Sequence, residues 1–174
     1  MAKGPSDDLH IGLLHDRHDR GGFTCGVESL DRYLKTQASQ DVRRKANAVF
    51  VLDEREDPGR IVGYYTLCAT AIAQGAVPQA ARKHIPRYPL VSATLIGRLA
   101  VSNDRQGQGL GAILLADGLR RAFESAETVG SSMIVVDALD GRAVGFYAAH
   151  GFVRLPDSLR LALPMRLVGG IAGR

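Results

Sequence analysis

Between an apolar run that alternates every second residue, Val91–Val101, and a run with helical spacing, Leu110–Val129, the chain sets Gln106-Gly107-Gln108-Gly109-Leu110-Gly111. A strand, a glycine-rich turn and a helix in that order commit the chain to a layered α/β arrangement, and Met133-Ile134-Val135-Val136 supplies a second strand. Together they make a βαβ unit, whose two strands are parallel with a right-handed crossover. Glycines in such a turn let backbone N–H groups approach a ligand. The unpaired N–H groups that open the helix, at the positive end of its dipole, suit a phosphate. A P-loop is excluded, because Ala112-Ile113 stand where Lys-Ser/Thr is required. Gly107 to Ala112 also satisfies G-x-G-x-x-A, but the 63 residues after Gly111 are too few for a doubly wound dinucleotide fold. A turn that only packs helix on strand is the other reading the residues leave open.

The remaining elements follow from periodicity and punctuation. Leu9–Leu14 is a short strand, and Val27, Leu30, Tyr33, Leu34 and Ala38 recur at helical spacing. Ala48–Leu52 and Ile61 to about Ala73 form a hairpin around the turn Asp53–Arg60, where Pro58-Gly59 breaks the chain. Pro78, Pro86 and Pro89 exclude a central strand from Gln74–Pro89, which becomes a basic loop with at most one helical turn. Gly97 interrupts its strand's side-chain row, a position that favours a bulge or a close backbone approach. A helix over Gly141–Ala149 and a last strand near Leu159–Met165 complete the pattern.

Composition sets the class of molecule. The chain has 174 residues, 45% apolar and 23% charged, with a formal charge of +4, which suits one folded domain and neither a disordered nor a fibrous chain. No stretch approaches the roughly 20 apolar residues of a membrane span, and the charged start is unlike a signal peptide. A cytoplasmic location without membrane attachment is expected. Cys25 and Cys68 form neither a disulfide framework nor a zinc site, and each suits a small buried position. His15 and His18 lack metal-ligand spacing and read as surface residues in a polar turn; no metal is implied.

The segment Arg98-Leu99-Ala100-Val101 followed by Q-x-x-G-x-G at Gln106–Gly111 resembles motif A of the GNAT superfamily of N-acetyltransferases. Asp140–Phe152, with Phe146-Tyr147 ahead of His150-Gly151-Phe152, resembles the family's second hallmark. The series Leu30–Leu34, Ala48–Val51, Ile61–Leu67, Ile96–Val101 and Gly145–Tyr147 is similar, in that order, to the GNAT toxins of bacterial type II toxin–antitoxin modules. The resemblance implies an α/β (α+β) GNAT fold: a mixed, mostly antiparallel twisted sheet of six to seven strands, about four flanking helices, and a parallel-strand V at the acetyl-CoA site. It places a single acetyltransferase domain over residues 9–168, with loose ends at 1–8 and 169–174. Implied as well are acetyl-CoA as cosubstrate, aminoacyl-tRNA as acceptor, a ribbon-helix-helix antitoxin as partner, a homodimer, and promoter DNA reached only through the antitoxin complex.

Residue by residue, the resemblance assigns cofactor contacts to Leu99, Ala100, Val101, Gln106, Gly107, Gln108, Gly109, Leu110, Gly111, Ala112 and Phe146, although Phe146 also suits a core position. Gln106 stands where many relatives carry arginine. Tyr147 is the expected general acid. Arg82, Lys83, Arg87, Arg43, Arg44 and Lys45 are cations available to RNA phosphates. Arg98 alternates with the cofactor-facing positions of its strand, so it is expected to face a polar cleft and touch tRNA. A GNAT acting on a small amine or a protein N-terminus, and a non-catalytic module of the same fold, are the competing functions.

Overall fold

A computed structural model describes residues 8–172. In chain order the elements are β1 (Leu9–Leu13), α1 (Glu28–Thr36), α2 (Ala38–Arg43), β2 (Ala48–Glu54), β3 (Gly63–Ala73), α3 (Gln79–Arg82) and β4 (Leu90–Val101). There follow α4 (Leu110–Ser125), β5 (Met133–Asp137), α5 (Gly141–Ala149), β6 (Val153–Arg154), β7 (Arg160–Pro164) and α6 (Met165–Ala172). The strands run β1-β2-β3-β4-β5-β7-β6 in one seven-stranded sheet. β1–β2, β5–β7 and β6–β7 pair antiparallel, whereas β4 and β5 pair parallel, Ala93–Ile96 against Met133–Val136. The parallel pair is the one joined through α4, because parallel strands need a long crossover.

The chain divides into two compact units. The first holds the described residues up to Thr66 together with Arg98–Asp117. Its core gathers Phe23, Leu30, Tyr33, Leu34, Val49, Val51, Tyr64 and Ala100. α1 buries Leu30, Tyr33 and Leu34 on one face, and Glu28 and Asp31 in its first turn suit its dipole. Asp31 also reaches back to accept the Cys25 N–H (2.9 Å) and the Thr24 hydroxyl (3.1 Å). Instead of one helix to Ala38, the chain breaks at Gln37 and restarts as α2. Gly63 is required where it stands: a Cβ there would lie 2.9 Å from the Ala100 carbonyl oxygen.

The second unit comprises Leu67–Gly97 and the described residues from Gly118 onward. Met133 to Val136 are wholly buried, flanked by β4 and β7. The proline-rich loop does contain one helical turn, α3, and Val77, Ala81 and Ile85 recur every four residues to bury one side of it against Val91, Ala93 and Met133. The described α-helices number six where about four were expected, the additions being the α1/α2 break and the short α6. Residues 169–172 are helical rather than loose, because α6 buries Val168 and seats Gly169 on Phe123, where a Cβ would come within 3.2 Å of the ring. Of the expected loose start, all but Asp8 lies outside the described residues.

Candidate active site

The first unit contains Arg98–Val101, the loop Gln106–Ala112 and the cations Arg43–Lys45. Gly107 and Gly109 adopt φ of +77° and +78°, a left-handed backbone that glycine enters without penalty. Nothing lies within 4 Å of a Cβ at either position, so the outer side of the loop is open. The first bond of α4 runs from the Ile113 N–H to the Gly109 carbonyl (3.3 Å). The N–H groups of Leu110, Gly111 and Ala112 therefore have no acceptor within the helix. No acidic residue occupies that first turn to compete for them. Open glycines, free amides and the positive helix end suit a phosphate or diphosphate group.

The loop is braced from beneath by side chains. Gln106 Nε2 donates to the carbonyls of Cys25 (2.9 Å) and Val101 (3.0 Å), so its amide ties the loop to the end of β4. Arg105 pairs with Glu54 and donates to Gln108 Oε1 (3.1 Å), and Arg60 pairs with Asp104. Cys25 is buried as expected, and burial pushes its thiol up to about 11, which leaves it protonated and inert.

Arg98 is half-buried on β4. Its guanidinium lies over the Tyr33 ring, 3.6 Å from the centroid. The Tyr33 hydroxyl donates to Asp41 (2.8 Å), which also accepts from Gln37 (3.0 Å) and Asn47 (2.9 Å); with Gln37 foremost, these donors hold the Asp41 carboxyl below its usual range. Leu99 and Val101 are half-buried, and Ala100 joins the core. His18 is not a surface residue. Its Nδ1 accepts the His15 N–H (2.9 Å), so Nε2 carries the proton and donates to Asp53 Oδ2 (3.0 Å), while His10 engages Oδ1 (3.3 Å). With both nitrogens committed, His18 is a brace inside the unit. Among the described residues no group of His, Cys, Asp or Glu is arranged to hold a metal ion.

In the second unit, α5 carries Phe146 and Tyr147. Asp140 caps its start by accepting the Ala143 N–H (2.9 Å). Its end is a Schellman turn: Gly151 sits at φ +95°, its N–H donates to the Ala148 carbonyl (3.1 Å), and the Phe152 N–H donates to Tyr147 O (3.2 Å). The Phe152 ring then meets Tyr147 edge-on at 5.7 Å, and His150 Nδ1 donates to the Phe146 carbonyl (2.8 Å). His-Gly-Phe thus fixes the backbone beneath the tyrosine. Tyr147 is buried, and burial, helped by the Asp137 charge, pushes its hydroxyl up to about 12. Phe146 is half-buried rather than core, its ring tilted against that of His150 with centroids 4.8 Å apart.

Among the cations of this unit, Arg82 is engaged within the fold, donating to the carbonyls of Val77 (2.8 Å) and Gly75 (3.0 Å). Lys83 and Arg87 are exposed. Arg166, which the motif resemblance did not single out, lines the same cavity as Lys83. Its sequence neighbourhood reads as a terminal strand and tail, so nothing in the pattern marks it.

Residues 45–154 match the acetyltransferase (GNAT) domain family. The chain is 34% identical over 161 residues to a tRNA-acetylating toxin of Mycobacterium tuberculosis, covering 92% of this chain and 94% of that protein. It is similar to the solved structure of AtaT complexed with acetyl-methionyl-tRNA (TM-score 0.85, 31% identity, 94% of this chain and 99% of the other). A tyrosine-to-phenylalanine variant of AtaT, bound to the C-terminus of the antitoxin AtaR and acetyl-CoA, is similar as well (TM-score 0.81, 27% identity, 97% and 100%).

Proposed function

We propose that this chain, which belongs to the GNAT family of acetyltransferases, moves the acetyl group of acetyl-CoA to the α-amino group of aminoacyl-tRNA and so stops translation as a toxin. The observation that carries the reading is the likeness along nearly the whole chain to a tRNA-acetylating toxin, joined to an open glycine turn whose free amides suit a diphosphate. A ribbon-helix-helix antitoxin neutralises it, promoter DNA is met only through that complex, the chain pairs as a homodimer, and it works in the cytoplasm. No described helix is long and apolar enough to cross a membrane. Residues 9–168 act as one acetyltransferase domain.

Acetyl-CoA supplies an activated thioester. The N–H groups of Leu110, Gly111 and Ala112, with the turns at Gly107 and Gly109, grip its diphosphate. A backbone N–H near Leu99 polarises the thioester oxygen, a contribution of ~3 kcal/mol to the barrier. Tyr147 donates its proton toward the departing sulfur. A free α-amino group titrates near pH ~8, and the adjacent ester of a charged tRNA lowers that further. Much of the acceptor is therefore already neutral, and no strong base is needed.

The test supplies purified protein and acetyl-CoA with charged tRNA, a free amino acid ester and a peptide amino terminus in parallel. N-acetylaminoacyl-tRNA as the preferred product is the expected outcome. Acetylation confined to the peptide or the small ester overturns the proposal.

A further inference from the structure

Where α4 turns into β5 and β7 turns into α6, the second unit carries a cavity of about 510 Å³, open to solvent. That volume lies within the range of small-ligand pockets. Its lining is chemically divided. Lys83 and Arg166 supply exposed positive charge, Glu127 a single negative one, and Phe123 and Ile85 an apolar wall. Neither Lys83 nor Arg166 has an ion-pair partner among the described residues.

Two features make the site preformed. The Ser131 hydroxyl bonds with Thr94 Oγ1 (2.9 Å) and with the Met133 carbonyl (3.2 Å), which fixes the floor. Gly169 presses on Phe123 so closely that a methyl there would lie 3.2 Å from the ring, so the aromatic wall is pinned from that side. A fixed aromatic surface beside unpaired cations is the chemistry that holds an unstacked nucleotide: the ring takes the base and the cations take the phosphate.

Position decides which nucleotide. The cavity abuts Ser131 and Ser132, just ahead of Met133 at the start of β5, whereas the carboxylate that acts on Tyr147 is Asp137 at the strand's other end. Four steps of strand separate them by about 13 Å, so a ligand in the cavity is not the group being acetylated.

We propose that this cavity seats one unstacked nucleotide of the RNA substrate, its phosphate on Lys83 and Arg166 and its base on Phe123, away from the reacting end. The inference rests on the RNA-acetylating function proposed above.

The test measures fluorescence anisotropy of a labelled single-stranded RNA ending in CCA, with cytidine monophosphate and inorganic phosphate as competitors. The double variant Lys83→Glu, Arg166→Glu should bind the RNA at least tenfold more weakly while keeping its melting temperature and its affinity for acetyl-CoA. Phe123→Leu, which keeps the wall apolar, should weaken the RNA about five- to tenfold through lost stacking. Unchanged RNA affinity in the double variant overturns the proposal. So does a site that takes cytidine monophosphate as tightly as it takes the RNA, which marks it as a free-nucleotide pocket. Wild-type protein that binds the RNA through these residues yet leaves charged tRNA unacetylated supports the seat and refutes the acetylation reading, so the two fail separately.

Discussion

Burial first, and the Asp137 charge second, hold the Tyr147 hydroxyl at about 12, so it stays protonated well beyond the pH at which an ordinary tyrosine ionises. A proton donor to sulfur has to be in that state before the reaction begins. Removing the hydroxyl with Tyr147→Phe should cut turnover about 100-fold, while acetyl-CoA affinity by calorimetry and the melting temperature stay put. The pH profile follows with a definite sign. Turnover should rise as the acceptor amine loses its proton toward pH ~8, and Tyr147 should impose no fall by pH ~10, the value of an ordinary tyrosine. An alkaline fall with a midpoint near 9 would remove Tyr147 as the donor. Stability moves the other way: the unfolded tyrosine ionises near 10, the folded one at about 12, so this group's contribution is lost as pH climbs through that window.

The structural setting of Tyr147 was legible because the motif includes the residues that hold it, Gly151 and Phe152. Arg98 was half legible. Alternation along β4 fixes the face it lies on, but that Tyr33 comes from a helix some 65 residues earlier to cover it depends on tertiary packing. His18 was misread for the same reason, since its partner Asp53 lies 35 residues away.

At the scale of elements, the ends of α5 and the start of α4 turn sequence into placement. Gly151 takes the left-handed C′ position that closes α5, and Phe152 packs back on Tyr147. Gly151→Ala forces a Cβ into that region at a cost of roughly 1–2 kcal/mol. It should lower the melting temperature and turnover together, measured by thermal denaturation and steady-state assay. Gly109 separates the two effects. Its φ of +78° carries a similar strain, but a methyl there projects into open space on the ligand side of the turn. Gly109→Ala should therefore weaken acetyl-CoA at least about tenfold, beyond what an equally destabilised Gly151→Ala does; equal losses in both variants would remove the loop from diphosphate binding. Strands β1 and β4, helix α5 and the glycine turn were placed within a residue or so, because each is bounded by glycine, proline or a clean change of period. The break at Gln37 and the helix α6 were not. Gln37 carries no breaker signal, and Gly169-Gly170 reads as a tail until Phe123 is found beneath it.

Across the molecule, the crossover rule gave the β4–β5 parallel pair in advance, whereas the insertion of β7 between β5 and β6 has no local signature. The same limit applies to charge. A formal +4 says that a polyanion is tolerated, not which cations meet it. The structure divides the basic residues by what they already do: Arg82, though exposed, donates to two loop carbonyls, Arg105 pairs with Glu54, and Arg98 lies on Tyr33, whereas Arg43, Arg44, Lys45, Lys83 and Arg87 are exposed and make no such contact among the described residues. Binding of the proposed acceptor, charged tRNA, would release counterions, so its affinity should fall linearly with salt on a log–log plot, by about 0.7 to 0.9 in slope for each phosphate met. Only cations without such a commitment inside the fold belong in that slope. Arg87→Gln and Lys83→Gln should each make it shallower, by up to about one phosphate's worth. Arg82→Gln should leave it alone and instead cost about 1 kcal/mol of stability through the two lost hydrogen bonds. A slope that responds to Arg82 as strongly as to its neighbours would show the loop rearranging to meet RNA, and the division of labour among the cations would then have to be drawn from the complex rather than from the free chain.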